Sequence, residues 1–277
     1  MKRCLLLLAA CSSPHAHATD APRASDATID ASPDAHVDAD LGDAGPSSSR
    51  QTKRPKGTTA AANGYLEYLP PGYGNGDRWP LMVFWHGIGE DGDGSATALD
   101  VIPHNGPPKL IANDQWPPSR PFVVLSPQHG PSNCPSADEV KAFIDYAVTA
   151  YEVDPDRVYL TGLSCGAIGS WQYMGSYVDL VQLAAFVPIA GDGGGAWSAQ
   201  GCDLGKVAIW AFHGDQDGTV NIAGDNTAMT NLAQCPNAQE NRYTVYPGVG
   251  HDSWTMTYDL SAGHDIYTWM LSKTRVP

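Results

Sequence analysis

The sequence predicts an α/β domain built on a mostly parallel, doubly wound sheet. Three observations predict it. Strand-like runs alternate with helical patterns between residues 65 and 272. Several of those runs are apolar throughout, as parallel strands buried on both faces are. The chemistry-bearing residues follow strand ends, where an open parallel sheet places its functional groups.

The strand candidates, in order, are Tyr65–Leu69, Leu81–Trp85, Phe122–Ser126, Val158–Thr161, Ala184–Ile189, Val207–Phe212 and Tyr243–Tyr246. Each is a short β-branched, aromatic or aliphatic run bounded by turn residues. Helical spacing of apolar residues predicts helices over Ala137–Tyr151, Ile168–Tyr177, Gly224–Gln234 and His264–Ser272. Between Ile189 and Val207 there is little room for a lid, so the site should be open. An open site suits a polymer, or an ester carried on a polymer, better than a buried lipid tail.

Composition divides the 277 residues into three parts. Residues 1–11 hold two positive charges, a short leucine run and small residues, ending in Leu8-Ala9-Ala10-Cys11. That pattern is a signal of the lipoprotein type, with Cys11 as the lipidated residue. A lipid-anchored, exported protein is expected, and secretion is the alternative. Residues 12–57 are rich in Ala, Asp, Pro and Ser, and Asp20, Asp26, Asp30, Asp34, Asp38 and Asp43 are each followed by Ala. Such a stretch has too little apolar surface to offset its ordering entropy, so it reads as a disordered tether. Its basic end, Arg50 to Lys56, reads as solvated. Residues 58–277 are the catalytic domain, of a length that suits one α/β unit. The net charge of −14 falls entirely on this last part. An acidic domain argues against nucleic acid, which needs a basic face. No other stretch reaches the roughly 20 apolar residues of a membrane span.

The chemistry starts at Gly162-Leu163-Ser164-Cys165-Gly166. This G-x-S-x-G lies between a strand candidate and a helix candidate, the setting of a nucleophile elbow. A serine hydroxyl needs an adjacent base, an imidazole supplies one near neutral pH, and a carboxylate fixes the imidazole tautomer. Asp217 follows the strand ending at Phe212, and His251 follows the strand ending at Tyr246, in the turn Gly248-Val249-Gly250-His251. The order is Ser, Asp, His. Upstream, Pro80 to Trp85 runs into His86-Gly87-Ile88-Gly89, a turn that can offer the N–H of Ile88 to an oxyanion, with the N–H of Cys165 as its companion.

The four segments YLPPGYGNGDRWPLMVFWHGIGEDGDG, VDPDRVYLTGLSCGAIGSW, VAIWAFHGDQDGTV and YPGVGHDSW resemble those of α/β-hydrolase esterases: feruloyl esterases, acetylxylan esterases and polyhydroxybutyrate-depolymerase-like proteins. The resemblance covers about residues 64–273. It implies the α/β-hydrolase fold, Ser164 as nucleophile, Asp217 as acid, His251 as base, and Ile88 and Cys165 as oxyanion donors. The chain departs from the pattern at Cys165, where Met or Ala is more usual, and at Ala167, where Gly is common.

Neighbouring residues have plainer readings. Asp215 competes with Asp217 but suits a turn, and His86 and His213 suit structural roles at strand ends. His264 opens a helix candidate and lacks the Gly-x-Gly-His turn. His129, Trp197 and Trp254 fall on loops near the site and are candidate substrate contacts. Asp91-Gly92-Asp93-Gly94 reads as a solvated loop, and neither metal nor cofactor is called for. Cys134, Cys165, Cys202 and Cys235 allow three pairings in an oxidising compartment. Cys202–Cys235 is favoured; it leaves Cys134 with Cys165, both at the C-terminal edge of neighbouring strands. Free thiols are the alternative.

The expected function is an exported serine carboxylic-ester hydrolase acting through a Ser-His-Asp triad and an acyl-enzyme on esters of plant or bacterial polymers, feruloyl or acetyl esters or polyhydroxyalkanoate. A serine oligopeptidase of the same fold and a non-catalytic, glycan-binding surface lipoprotein are the alternatives. Acyl specificity and oligomeric state stay open.

Overall fold

The computed structural model describes residues 50–178, 182–236 and 238–276. The signal at 1–11 with its Cys11, and the tether up to residue 49, lie outside the described residues.

Eight strands form one sheet in the order β1-β2-β4-β3-β5-β6-β7-β8. They are β1 (Thr52–Arg54), β2 (Tyr65–Tyr68), β3 (Trp79–Trp85), β4 (Val123–Pro127), β5 (Val153–Leu163), β6 (Ala185–Ile189), β7 (Ala208–Gly214) and β8 (Asn241–Tyr246). The pairs β1–β2 and β2–β4 are antiparallel, and the remaining pairs are parallel. The α/β expectation therefore holds, with an antiparallel edge on a parallel sheet.

Strand periodicity sorts the core. In β3, Leu81, Val83 and Trp85 join one apolar cluster, while Met82 and Phe84 join the other. Alternate side chains leave opposite faces of a strand, so an all-apolar strand must be covered on both sides. The first face is covered by Phe143 of α2 (Ala137–Ala150), Trp171 and Met174 of α3 (Cys165–Tyr177), and Met229 of α5 (Ala223–Leu232). The second is covered by Ile111 of α1 (Gly106–Ala112), Tyr258 of α6 (Trp254–Tyr258), and Trp269 and Met270 of α7 (Ile266–Leu271). A capping box starts α2: Ser136 Oγ accepts from Glu139 N–H, and Glu139 reaches back to the Ser136 N–H.

Three expectations need correction. The tether was drawn to residue 57, yet Arg50–Gly57 is folded and contains β1. Its register on β2 pairs Thr52 with Glu67 and Arg54 with Tyr65. Arg54 Nη2 lies 2.8 Å from the buried Glu67 carboxylate, and the Arg50 guanidinium donates to Trp116 O and Tyr68 Oη. The segment is held by polar contacts at a sheet edge, so it carries no apolar pattern for a sequence reading to find. The stretch between Ile189 and Val207 is not loop either. It holds α4 (Gly194–Gln200) and a 3₁₀ helix over Gly201–Lys206. The glycines of Gly191–Gly195 mask α4, as Pro107 and Pro108 mask the start of α1.

Two disulfides are present, Cys134–Cys165 and Cys202–Cys235. The second ties the 3₁₀ helix to the end of α5. The first links the loop after β4 to the first residue of α3. The third correction is that β4 and β5 are not neighbours: β3 lies between them, so this bond passes over its C-terminal end.

Candidate active site

The site is built at the C-terminal ends of β3, β5, β7 and β8. β5 ends at Leu163, and Ser164 adopts φ +50°, ψ −119° before α3 begins. A non-glycine residue rarely occupies that region, and such strain concentrates at functional sites. The turn is held by Ser164 N–H donating to Ile189 O and by Ile168 N–H donating to Ser164 O. It is also pressed against the end of β3. A Cβ at Gly166 would lie 2.1 Å from Trp85 O, and one at Gly162 would lie 2.9 Å from the same oxygen. Both small residues of G-x-S-x-G are therefore required by close approach.

Three side chains from separate loops meet there. Ser164 Oγ is 2.9 Å from His251 Nε2, and His251 Nδ1 is 2.7 Å from Asp217 Oδ2. A carboxylate only accepts, so Nδ1 carries the proton and Nε2 is left to accept from the serine hydroxyl. Asp217 Oδ1 accepts from the N–H groups of Thr219 and Val220 at 2.8 and 2.9 Å. Burial pushes the Asp217 carboxyl up, but the hydrogen bonds from His251, Val220 and Thr219 outweigh it and hold the group below the usual range. It is a carboxylate at neutral pH. Asp215 takes no part: it is exposed and accepts from Gly248 N–H at 2.7 Å, bracing one loop against the next.

The loop His86–Gly89 lies beside the serine. A Cβ at Gly87 would be 3.5 Å from Ser164 Cβ and 2.7 Å from Leu163 Cδ1. Glu90 and Asp91 fasten the loop by accepting from Gly87 N–H and Gly89 N–H. Ile88 stands between these anchors with its side chain 77 % exposed. Cys165 opens α3, where N–H groups have no partner within the helix.

Of the three candidate contacts, Trp254 is beside the array. Its ring meets His251 edge-on at 4.9 Å, and its Nε1–H donates to Asn105 Oδ1. It starts α6 rather than sitting on a loop. His129 is 1 % exposed, stacked on His86 at 4.2 Å, with its Nδ1 at Gly130 O. Buried under the loop, it is not placed to touch a substrate. Trp197 lies on α4 and packs against the apolar core. It is half-buried on that helix rather than on a loop. His86 is structural as expected: buried, with Nδ1 at Gly87 O and Nε2 accepting from His129 N–H. His264 packs among Trp210, Phe212 and Tyr246.

Sequence reasoning missed Glu90, Asn105 and Asp225. Glu90 is buried; besides Gly87 N–H it accepts from Asn105 Nδ2 at 2.8 Å. A carboxylate directly after H-G-x-G was the available signal, but its partner at 105 is far in sequence. Asp225 is wholly buried against His213 on the far side of Asp217. It looked like an ordinary polar residue of an exposed helix.

The chain matches no protein-family profile. It is 25 % identical over 218 residues to feruloyl esterase D of Neurospora crassa, covering 75 % of this chain and 71 % of that one. It is 26 % identical over 204 residues to a bifunctional acetylxylan esterase/xylanase of Neocallimastix patriciarum, covering 69 % of this chain but only 26 % of that one. Among solved structures, a thermostable esterase superposes with a TM-score of 0.62 at 24 % identity, over 81 % of this chain and 63 % of the other. The chain has the α/β-hydrolase fold and is similar in sequence to a feruloyl esterase and an acetylxylan esterase.

Proposed function

We propose that the protein is a serine carboxylic-ester hydrolase. The observation that carries this reading is the continuous array Ser164–His251–Asp217 on an elbow next to two candidate oxyanion N–H groups. In the proposed cycle Ser164 Oγ attacks the ester carbonyl carbon while His251 Nε2 takes its proton. Asp217 keeps the resulting imidazolium oriented. The N–H groups of Ile88 and Cys165 receive the oxyanion; each such donor typically contributes about 10²–10³-fold. His251 then returns the proton to the departing alcohol, leaving an acyl group on Ser164. Water, deprotonated by the same imidazole, attacks that acyl carbon; the bond to Ser164 Oγ breaks, the imidazolium returns its proton to that oxygen, and the acid is released.

The substrate proposed is an ester of a plant or bacterial polymer: a feruloyl or acetyl ester, or a polyhydroxyalkanoate. Support comes from the named relatives and from Ile88, an apolar side chain left uncovered at the mouth of the site. The protein is further proposed to work outside the cell, held by a lipid on Cys11.

The test is a panel of acetyl, butyryl and octanoyl nitrophenyl esters, methyl ferulate, polyhydroxybutyrate film and a peptide nitroanilide. Wild type should cleave esters and not the anilide; the reverse preference would make the protein a peptidase. Ser164→Ala should abolish turnover with the fold intact. Asp217→Asn should cost on the order of 10⁴-fold, by analogy with other triads. Asp215→Asn should cost far less. Activity surviving Ser164→Ala would remove the nucleophile assignment.

A further inference from the structure

Asp217 has a second imidazole neighbour. Its Oδ2, which receives His251 Nδ1, also lies 3.2 Å from Nε2 of His213, and the side chains of His213 and Asp217 are both wholly buried. The same Nε2 is 3.1 Å from Val220 O. Both neighbours are acceptors, so Nε2 must carry a proton; a lone pair there would face two oxygens with nothing between. The other ring nitrogen, Nδ1, lies 2.8 Å from Oδ2 of Asp225. Asp225 Oδ1 accepts from Gly193 N–H at 3.0 Å. One further proton therefore sits in the Nδ1–Asp225 bond. Whichever partner holds it, the His213–Asp225 pair is neutral as a unit, and its Nε2–H is given to Val220 O, with Asp217 Oδ2 beside the same nitrogen.

We infer that His213, held by Asp225, is a positioning residue for Asp217: its Nε2–H holds Val220, whose own N–H Asp217 Oδ1 accepts, and its ring lies against the carboxylate oxygen that receives His251. The inference rests on the Ser164–His251–Asp217 reading above. A carboxylate has about four acceptor positions. Here three are met, by His251 on Oδ2 and by the Thr219 and Val220 N–H groups on Oδ1, with His213 Nε2 3.2 Å from Oδ2. Rotation of the group in either direction breaks a bond in a dry site, where an unmade bond is costly. The other titratable groups near the pair are Asp192, whose charge acts on Asp225, and Tyr243, on which the charge of Asp225 acts. The directions agree with the arrangement. Burial alone would push the His213 imidazole down, and the Asp225 carboxylate reverses that and raises it. Burial raises Asp225, against the opposing pull of His213. Sequence spacing explains why the device is compact: His213 ends β7, and Asp217 stands four residues on, across the turn that β7 feeds.

The test compares His213→Leu, which removes the donor, with His213→Gln, whose amide can place an N–H where Nε2 stood. Both are made in the full-length protein. In folded His213→Leu, kcat should fall roughly 10- to 100-fold with KM little changed, the loss expected when a buried acceptor is left unmet. The acid limb of the kcat/KM profile should move up by about half a pH unit or more, because a less compensated Asp217 favours the imidazolium of His251. His213→Gln should restore most of both. Unchanged kcat and limb in His213→Leu, or a rate loss that leaves the limb in place and that His213→Gln does not restore, would make His213 merely structural. Should His213→Leu not fold, ¹⁵N-histidine spectra of the wild type decide, with the signal assigned by its loss in His213→Gln. Nε2 should stay protonated from pH 6 to 9, and a bare Nε2 overturns the inference. A dead Ser164→Ala beside an unaffected His213→Leu defeats this inference alone; a live Ser164→Ala defeats the reading beneath it.

Discussion

Glu90→Gln isolates a buried charge beneath the loop that carries Ile88. Glu90 is 2 % exposed, and its carboxyl accepts from Gly87 N–H and Asn105 Nδ2. Burial raises its pKa from 4.5 to about 7, against the hydrogen bonds from Asn105 and Gly87 and the charge of Lys109. In the unfolded chain the group loses its proton near 4.5; in the folded chain it keeps it to about 7. Across that window the folded state binds more protons, so stability falls as the pH rises and levels off above 7. The whole change is about 3 kcal/mol for one group with these two values. Glutamine does not titrate, so it lacks this dependence while keeping the shape. Urea unfolding of both proteins, without reductant, at steps from pH 5 to 8.5 gives the difference directly. The difference should move in favour of Glu90→Gln by about 3 kcal/mol as the pH rises, with unchanged m-values. Any fixed cost of the amide shifts the curve without changing its slope. A flat difference would mean that burial leaves the carboxyl unshifted. A flat difference would follow equally if Gly87 and Asn105 held it ionised throughout.

The two disulfides should separate by their effects. Cys202→Ser with Cys235→Ser opens a bond spanning 33 residues and should lower stability by up to roughly 3–4 kcal/mol, with activity well below the melting temperature retained. Cys134→Ser with Cys165→Ser should lose turnover as well, because the bond anchors the start of α3, whose backbone N–H at Cys165 is a proposed oxyanion donor; equal activity in the two double variants would refute that difference. The anchor proposal predicts that Cys11→Ser moves the protein out of the detergent phase when it is made in a bacterial host, and unchanged partitioning removes it.

What the sequence made legible is what repeats locally. β3, β6 and β7 are apolar throughout because helices cover both faces, so each announces itself within a handful of residues. The Ser164 elbow is readable for the same reason: its strand, turn and helix are contiguous, and the glycines that the close approach of Trp85 demands are part of the motif. Asp217 and His251 were legible from their place after strand ends. Legibility stopped where a residue's meaning comes from a distant partner. β1 is specified by Arg54 meeting Glu67, and Glu90 by Asn105. His129 looked like a site residue from its position after β4, but its stacking on His86 is a contact across 43 residues. Trp197 looked like a loop residue because the glycines around it hid α4.

The same distant contacts bear on how an uncapped site could stay ordered. Each loop that brings a group to Ser164 is braced from behind by something buried or covalent. The loop His86–Gly89 hangs on Glu90 and Asp91, and Cys165 is bonded to Cys134. Asp217 is held by two backbone N–H groups and flanked by His213, and His251 is walled by Trp254, which Asn105 holds in turn. Asn105 also donates to Glu90, so the histidine wall and the Gly87 loop share one anchor. Preorganised donors lower a barrier only if they need not reorganise as charge develops. A lid can supply that order by closing over the substrate. Bracing each loop on the ends of the sheet supplies it in advance, with no closing step.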